Sequence, residues 1–280
     1  MYPSSFEYLR AESVDHALGL LGEHGDAKLL AGGHSLLPML KLRLAEPGVV
    51  VDIGRITELR GVSEGEGELS IGSLTTHHEV ATSELVAARA PVLAEAAAQI
   101  GDPQVRNRGT VGGNIAHADP ASDLPAVLVA LGATVHLRSR GGDRAVPAAD
   151  FFVGLLTTDL QNGELLTSVS VPVLDGGDGS AYLKHEHPAS GYAISGAAAV
   201  IRDGAASLAF NGITATPLDA AAVGAALAGG DLSDAAIDAA IDAHLEVSEP
   251  LSDVQASGPY RTHLAKVYGK RALRTARDRR

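Results

Sequence analysis

Hydrophobic and polar positions at the start of the chain alternate between short strand-like runs and helical stretches. Residues 13–25 follow a helical pattern whose first residue, a serine, is a suitable N-cap. Residues 28–31 and 49–53 have the apolar character of buried strands, and 36–44 is helical with a proline in its first turn. A strand, a glycine turn, a helix and a second strand in this order predict a β-α-β unit.

The middle of the chain combines a predicted hairpin, helices and a long polar segment. The pattern predicts strands at 59–62 and 69–72 around a turn at 64–67, helices at 76–90, 91–100 and 123–131, and strands at 134–137 and 165–171. Residues 101–119 are rich in glycine and polar side chains, which predicts an irregular loop. A loop of this length in a compact domain is usually functional or disordered.

The last third of the chain begins after a glycine- and aspartate-rich stretch at 173–180, which is the best linker in the sequence. Beyond it the pattern predicts strands at 181–185, 192–201 and 206–213, alanine-rich helices at 217–228 and 233–244, and a basic helix from about 260. We therefore divide the chain into three parts, 1–55, 56–175 and 176–280.

Composition restricts the classes of function that this chain can have. Hydrophobic residues make up 45% of its 280 residues, which is enough for a substantial core, and its formal net charge is −12. That charge, with few aromatic residues and no tryptophan, argues against nucleic acid as a partner. No cysteine is present, so this chain cannot carry disulfides or cysteine-ligated clusters. No signal peptide or membrane-spanning segment is visible, and a cytoplasmic, soluble protein is expected.

The first candidate binding element is a glycine doublet that follows a predicted strand and precedes a helical pattern. We define the first glycine loop as residues 31–35, with the sequence Ala-Gly-Gly-His-Ser. Glycines let backbone N–H groups approach an anion because no Cβ stands in the way, and a helix start favours negative charge. On these residues alone, a simple tight turn between strand and helix is the favoured explanation.

A second doublet has similar surroundings. We define the second glycine loop as residues 110–114, with the sequence Thr-Val-Gly-Gly-Asn, and Arg106 and Arg108 lie just before it. Two such loops could supply bare amides to a pyrophosphate, although a flexible loop with solvated arginines is the alternative. Neither doublet fits the Rossmann or P-loop pattern, so a dinucleotide site here would use another geometry.

The two loops and the sequences around them resemble the FAD-binding medium subunit of molybdenum hydroxylases, most closely that of the aerobic carbon monoxide dehydrogenases. The resemblance spans essentially the whole chain. Besides the loops it includes Asp102-Pro103-Gln104-Val105-Arg106, Asp119-Pro120, Ser122-Asp123-Leu124-Pro125, Gly163-Glu164-Leu165-Leu166-Thr167, Tyr192-Ala193 and Tyr260-Arg261. It implies an α+β FAD-binding fold with an N-terminal α/β subdomain, a mixed α+β subdomain and a C-terminal antiparallel sheet packed with helices.

The resemblance also implies a set of cofactor-binding residues. Both glycine loops would hold the FAD pyrophosphate, Asp123 would lie toward the adenosine, and Tyr192 would lie near the isoalloxazine. The full set is Leu30, Ala31, Gly32, Gly33, His34, Ser35, Ile100, Thr110, Val111, Gly112, Gly113, Asn114, Asp123, Leu166, Lys184 and Tyr192. By pattern alone, Asp123 is expected to serve its own helix N-terminus, and Lys184 is expected to be a surface lysine.

Histidine pairs are the remaining candidates for chemistry. His185 and His187 would share one face of a strand, as metal ligands sometimes do, but no third ligand is evident from spacing. His77 and His78 are adjacent and would point in different directions from a helix, as surface residues. We therefore predict no metal site, and no nucleophile–base arrangement predicts a catalytic residue in this chain.

The resemblance implies that this chain works as one part of a larger oxidoreductase. An iron–sulfur subunit with two clusters would deliver electrons, and a large subunit would carry the molybdenum cofactor and the substrate site. Carbon monoxide is the first candidate for its substrate, and aldehydes, purines and N-heterocycles stay open because relatives that act on them share the same flavin motifs. FAD would pass the electrons to quinone, NAD or oxygen. Two other functions stay open at this point. The chain could be a self-sufficient flavin-dependent oxidase or reductase, or a non-catalytic anion- or nucleotide-binding scaffold.

Overall fold

The computed structural model describes residues 2–280 and begins with a small parallel sheet. Its elements are β1 (Glu7–Arg10), α1 (Val14–Glu23), β2 (Lys28–Leu30), α2 (Leu36–Leu42) and β3 (Val49–Asp52). The strand order is β1-β3-β2, and β3 pairs in parallel with both neighbours. The predicted β-α-β unit is therefore confirmed as β2, α2 and β3, with the first glycine loop between β2 and α2.

The apolar residues of this sheet explain its position. The central strand β3 is a run of valines, of which Val50 and Val51 are fully buried, and α1 packs Ala17 and Leu18 into the same cluster. Strand β1 was not predicted, because as an edge strand it is largely exposed and its sequence, Glu-Tyr-Leu-Arg, is mostly polar.

The middle of the chain folds around a five-stranded antiparallel sheet and a group of helices. Its sheet order is β4-β5-β10-β6-β7. The elements are a 3-10 turn (Thr57–Leu59), β4 (Val62–Gly65), β5 (Glu68–Gly72), α3 (His77–Thr82), α4 (Glu84–Arg89), α5 (Pro91–Ala98), α6 (Pro103–Arg106), α7 (Val111–His117), α8 (Asp123–Leu131), β6 (Thr134–Ser139), β7 (Gly142–Pro147), α9 (Ala148–Phe151), β8 (Phe152–Gly154), β9 (Thr157–Thr158) and β10 (Leu165–Pro172).

Several predictions for this region are wrong in detail. The strand predicted at 59–62 starts only at Val62, since the preceding residues form the 3-10 turn that buries Leu59. The hairpin turn is narrower than expected because Glu66 and Gly67 both have positive φ, as a tight two-residue turn requires. The helix predicted at 76–90 is two helices, because Ser83 ends α3 and its side chain caps α4.

The segment 101–119, predicted as an irregular loop, contains two short helices. Asp102 caps α6 by accepting from the Val105 N–H, and Thr110 caps α7 by accepting from the Gly113 N–H. The polar residues that made this segment look irregular are therefore partly helix caps. The second glycine loop is consequently the first turn of a helix rather than a free loop.

The C-terminal part is an antiparallel sheet between two helical layers. Helix α8 and Tyr182 belong to the core on one face of the sheet, whereas the C-terminal helices bury its other face. Its elements are β11 (Gly179–Glu186), β12 (Ala193–Arg202), β13 (Ala205–Asn211), β14 (Leu218–Asp219), α10 (Ala221–Leu227), α11 (Asp234–His244) and α12 (Gly258–Asp278). The helix predicted at 217–228 begins only at Ala221, since β14 precedes it. The predicted fold class is confirmed.

Small residues make the contact between α8 and this sheet close. Strand β12 carries Gly196 and three consecutive alanines, which are completely buried. Because these side chains are short, the helix can approach the strand backbone and Tyr182 can reach over to Asp123. This packing places residues from the two ends of the predicted cofactor set in one buried cluster.

The longest helix, α12, has 21 residues and carries lysines and arginines along its length. Within residues 2–280 no helix has both the length and the apolar character needed to cross a membrane.

Candidate cofactor site

The first glycine loop presents backbone donors that the described protein does not use. Within residues 2–280, the N–H groups of Gly32, Gly33, His34 and Ser35 have no hydrogen-bond acceptor. Gly33 has a φ of +80°, which a side chain would strain, and Ser35 makes no side-chain bond to its helix. A run of free amides at a strand-to-helix turn is the arrangement that an anion can bind.

The second glycine loop uses its amides inside the protein. The Val111 and Gly112 N–H groups donate to the carbonyl oxygens of Thr75 and Ser73, at 2.9 and 2.8 Å. Those of Gly113 and Asn114 donate to Thr110, to its hydroxyl and carbonyl oxygens. The expectation that both loops offer bare amides is therefore wrong for the second loop. Its amides are satisfied because the loop forms the capped start of α7.

The two loops nevertheless lie against each other. A Cβ added at Gly32 would overlap the Arg108 carbonyl oxygen, and a Cβ added at Gly113 would lie 3.7 Å from that of Ala31. A Cβ at Gly112 would lie 2.5 Å from the Cβ of Ser73. Three of the four glycines in the doublets therefore allow close packing, and the loops form one surface.

A chain of contacts runs from the second loop to the opposite end of the predicted set. The Ser122 hydroxyl donates to Asn114 Oδ1 at 2.6 Å, just before Asp123. Asp123 is buried and accepts a hydrogen bond from the Tyr182 hydroxyl at 2.5 Å. Its carboxylate also lies 3.2 Å from Lys184 Nζ. Asp123 begins α8 and so lies at the N-terminus of its own helix as expected, and its carboxylate in addition pairs with Lys184. The expectation that Lys184 lies on the surface is wrong, because it forms a buried ion pair with Asp123.

Burial is the main influence on the ionisation of this cluster. It raises the pKa of Asp123 to about 6, although Lys184 and Tyr182 oppose this by stabilising the carboxylate. Burial, with Asp123 beside it, raises the pKa of Tyr182 well above its ordinary value. At neutral pH, therefore, Asp123 is mostly ionised and the Tyr182 phenol beside it is neutral.

The remaining predicted residues differ in exposure. Ile100 and Leu166 are 7% and 5% exposed and belong to the core of the middle region. Leu30 is partly buried, and the residue after it begins the first loop. Tyr192 is 52% exposed, and its pKa is raised by partial burial and by Asp119 and Asp123. Tyr192 thus presents an accessible ring beside the buried ion pair.

His77 was predicted to be a surface residue, and the structure shows that this is wrong. It is 2% exposed, and its Nδ1 has no hydrogen-bond partner within residues 2–280. Its backbone N–H donates to Gly109 O, and its ring occupies the space that a Cβ at Gly109 would need. Burial, followed by repulsion from His34, lowers the pKa of His77 to about 4. A neutral imidazole therefore packs against Gly109, the residue just before the second loop.

Ser73 and Thr75, which directly follow strand β5, were also missed. They accept through their backbone carbonyls, so their side chains carried no signal of this role. The arginines before the second loop have separate roles: Arg106 donates to the carbonyls of Ile100 and Gly101, while Arg108 is exposed.

His185 lies against the rings of Tyr260 and Tyr268, and His187 against Ser190.

The residues present fit FAD as an anionic dinucleotide. The free amides of the first loop suit a pyrophosphate, and the two glycines of the second loop add no side chain to the surface that the loops share. Asn114 adds a side-chain Nδ2 that donates to no group within residues 2–280. The exposed ring of Tyr192 is suited to contact a planar, partly apolar group.

Comparison with known proteins identifies the family of the chain. Residues 4–174 match the family described as the FAD-binding domain in molybdopterin dehydrogenase, and residues 180–276 match the carbon monoxide dehydrogenase flavoprotein C-terminal domain. The chain is 42% identical to the carbon monoxide dehydrogenase medium chain of Hydrogenophaga pseudoflava, over 99% of this chain and 98% of that one.

Two further similarities bear on substrate and fold. The chain is 41% identical to the glyceraldehyde dehydrogenase medium chain of Sulfolobus acidocaldarius, over 98% of this chain and 99% of that one. It superimposes with a TM-score of 0.96 and 44% identity on a chain of the Hydrogenophaga pseudoflava carbon monoxide dehydrogenase that lacks the Mo-pyranopterin moiety, covering 100% and 99% of the two chains.

Proposed function

Because the chain belongs to the family of FAD-binding medium subunits of molybdenum hydroxylases, we propose that its first glycine loop binds the FAD pyrophosphate through free backbone amides. The unsatisfied N–H groups of Gly32, Gly33, His34 and Ser35 are the observation that carries this assignment. The second glycine loop supports the first by packing and contributes the Asn114 side chain. Bound FAD supplies the ability to take electrons singly and release them in pairs.

We infer the partner subunits from the family to which the chain belongs. An iron–sulfur subunit with two clusters delivers electrons to the site, and a large subunit with the molybdenum cofactor oxidises the substrate. This chain has no cysteine to hold such clusters itself. The electrons leave to quinone, NAD or oxygen. We also propose a cytoplasmic location, which fractionation of cells that express the complex would test.

Carbon monoxide is the proposed substrate of the complex. The similarity to carbon monoxide dehydrogenase medium chains supports it. The nearly equal identity to a glyceraldehyde dehydrogenase medium chain shows why the flavin subunit alone is a weak guide to the substrate. The test is reduction of an artificial electron acceptor by the purified complex with carbon monoxide and with glyceraldehyde as alternative donors. Activity with the aldehyde alone would replace the proposed substrate.

Substitutions at Gly33 test the FAD site. In the complex, Gly33→Asp should remove FAD and leave iron and molybdenum in place, because a carboxylate would stand among amides meant for a phosphate. Gly33→Asn has nearly the same shape without the charge and tolerates positive φ, so it should keep part of the FAD. The control is Gly177→Asp, which enters open space.

The measurement is the ratio of flavin to iron and molybdenum in each purified complex. Gly113→Asp, at the contact between the loops, should also lose FAD because its side chain would meet Thr110 Oγ1. Full FAD content in both aspartate variants would show that FAD does not bind at these loops. Substrate turnover by the purified chain alone would instead indicate a self-sufficient flavoenzyme.

A further inference from the structure

Lys184 is one of the most completely buried charged groups in the described chain. Its side chain is only 2% exposed. Its Nζ donates to the carbonyl oxygens of Gln99 at 2.7 Å and Gly191 at 2.8 Å, and the Asp123 carboxylate is its third partner, at 3.2 Å. An ammonium has three donors, and all three are used. Any contact between Nζ and a cofactor would therefore replace an existing bond.

The two carbonyls that Lys184 binds belong to different parts of the fold. Gln99 ends helix α5 in the middle region and precedes Ile100, whereas Gly191 lies in the turn between β11 and β12 and precedes Tyr192. The turn also lies close to the residues that follow α5, since a Cβ added at Gly191 would lie 3.8 Å from Gly101 Cα. Lys184 thus links Gln99 to Gly191. These two residues directly precede Ile100 and Tyr192, which are both in the predicted cofactor set.

The turn at 187–192 has few other attachments. Its hydrogen bonds are mostly internal, among His187, Ser190, Gly191 and Tyr192. Beyond the turn, the Ala193 N–H donates to Ala121 O at 3.4 Å, which is long for such a bond. The bond from Lys184 to Gly191 is therefore the strongest polar contact that holds the turn beside α5 and α6.

Asp123 makes this arrangement possible. A buried ammonium without a counter-charge costs several kcal/mol, whereas paired and hydrogen-bonded charges are tolerated. Tyr182 donates to the Asp123 carboxylate and holds it in place. The carboxylate stays ionised at neutral pH because its raised pKa is about 6.

We propose that Lys184, with Asp123 as its counter-ion, is a positioning residue that holds the Tyr192 turn and the Ile100 segment in fixed places beside the flavin, rather than a group that contacts FAD. The proposal rests on the FAD site proposed above. It differs from the direct cofactor contacts that the family resemblance implied for these two side chains.

Hydrogen exchange in the full-length, flavin-free chain tests the positioning role without FAD. Lys184→Met keeps an unbranched side chain that is one heavy atom shorter and removes its donors. We expect amide exchange in residues 187–193 to rise about tenfold, while exchange in the first glycine loop stays unchanged. The double variant Lys184→Met/Asp123→Asn avoids an unpaired buried carboxylate and should show the same local effect if the single variant is too unstable to purify. Unchanged exchange in 187–193 would overturn the proposal.

The control is Lys266→Met, which removes a half-exposed lysine 3.9 Å from Asp242 and should leave exchange in the turn unchanged. The second measurement uses the FAD-loaded complex. Lys184→Met should keep its FAD-to-iron ratio within about twofold of the unmodified complex, because the glycine loops are intact, and should shift the flavin absorption spectrum and reduction potential. Loss of FAD equal to that of Gly33→Asp, with exchange in the turn unchanged, would make Lys184 a direct ligand.

These results separate the two proposals. An unmodified complex without FAD would end the FAD-site proposal, while the exchange experiment would still decide whether Lys184 holds the turn.

Discussion

Among residues 2–280, the backbone amides of Gly32 to Ser35 in the first glycine loop have no acceptor, whereas those of Val111 to Asn114 in the second donate to Ser73, Thr75 and Thr110. Both loops have a glycine doublet followed by a polar residue, and each lies at the start of a helix. In the first, the positive φ of Gly33 turns the chain so that consecutive N–H groups stay unbonded. In the second, Gly112 lets the helix start press against Ser73.

The difference shows that one sequence pattern can serve ligand approach or protein packing. A glycine that exposes donors should affect cofactor affinity more than stability. One that allows close packing should affect stability first, and cofactor binding only through the fold. Stability must be measured on the flavin-free chain, since a bound cofactor would add its own stabilisation.

Among the single variants compared below, the largest effect on stability is expected for Gly112→Ala. An added methyl group would lie 2.5 Å from the Ser73 Cβ, and its neighbours are backbone atoms of that residue. The loop must shift and strain its bond to the Ser73 carbonyl, so Gly112→Ala should lower the free energy of unfolding by about 3 kcal/mol. Gly25→Ala enters open space and should change it by less than about 1 kcal/mol. Equal denaturation midpoints for the two variants would contradict the packing role of Gly112.

The pH dependence of stability should show a second difference between the loops, because His77 is buried under the second. Its folded-state pKa of about 4 lies below its ordinary value of 6.5, so folding favours the neutral ring. The free energy of unfolding should therefore keep its full value above pH 6.5. It should fall as the pH drops from 6.5 toward 4, by at most about 3 kcal/mol. His77→Leu should lose less stability over this range. Parallel stability curves for the variant and the unmodified chain would refute the assignment.

How much of this comparison the sequence could predict depends on the range of the contacts. The β-α-β unit and the first loop follow from local patterns, and α8 was predicted over the residues it occupies. The second loop looked equally free, because its acceptors Ser73 and Thr75 lie far earlier in the chain. A hydrogen bond between distant segments leaves no periodic pattern. The helices within 101–119 were missed for a different reason, since their polar caps made the segment look irregular.

The predicted site shows the same limit. Family resemblance selected Asp123 and Lys184, yet neither pattern nor resemblance indicated that they form a buried pair. That pairing depends on the small residues of β12, which bring the C-terminal sheet close to α8. His77 was missed because nothing in a helix start indicates which of two adjacent histidines will be covered.

Gly33→Ala should give the opposite balance to Gly112→Ala. Its φ of +80° would cost an alanine about 1 kcal/mol of stability, and the nearest atoms belong to the flexible Leu37 side chain, at 3.0 Å and beyond. The strain would turn the free amides, so FAD affinity should fall about tenfold, which corresponds to about 1.4 kcal/mol. Titration of flavin-free chain with FAD measures this. Undiminished FAD affinity would show that the first loop does not bind the pyrophosphate.

The smallest effects are expected at the two hydroxyl side chains, which form a matched pair. Thr110 caps α7 through the Gly113 N–H, whereas Ser35 makes no such bond to α2. Thr110→Val keeps the side-chain volume and should cost about 1 kcal/mol of stability, because the Gly113 N–H loses its acceptor. Ser35→Ala removes no cap and should leave stability within about 0.5 kcal/mol of the unmodified chain. If the Ser35 hydroxyl faces the diphosphate, its loss should instead weaken FAD binding by a few fold. Two variants with the same stability loss and the same FAD affinity would mean that the loops do not differ in function, whatever their hydrogen bonds.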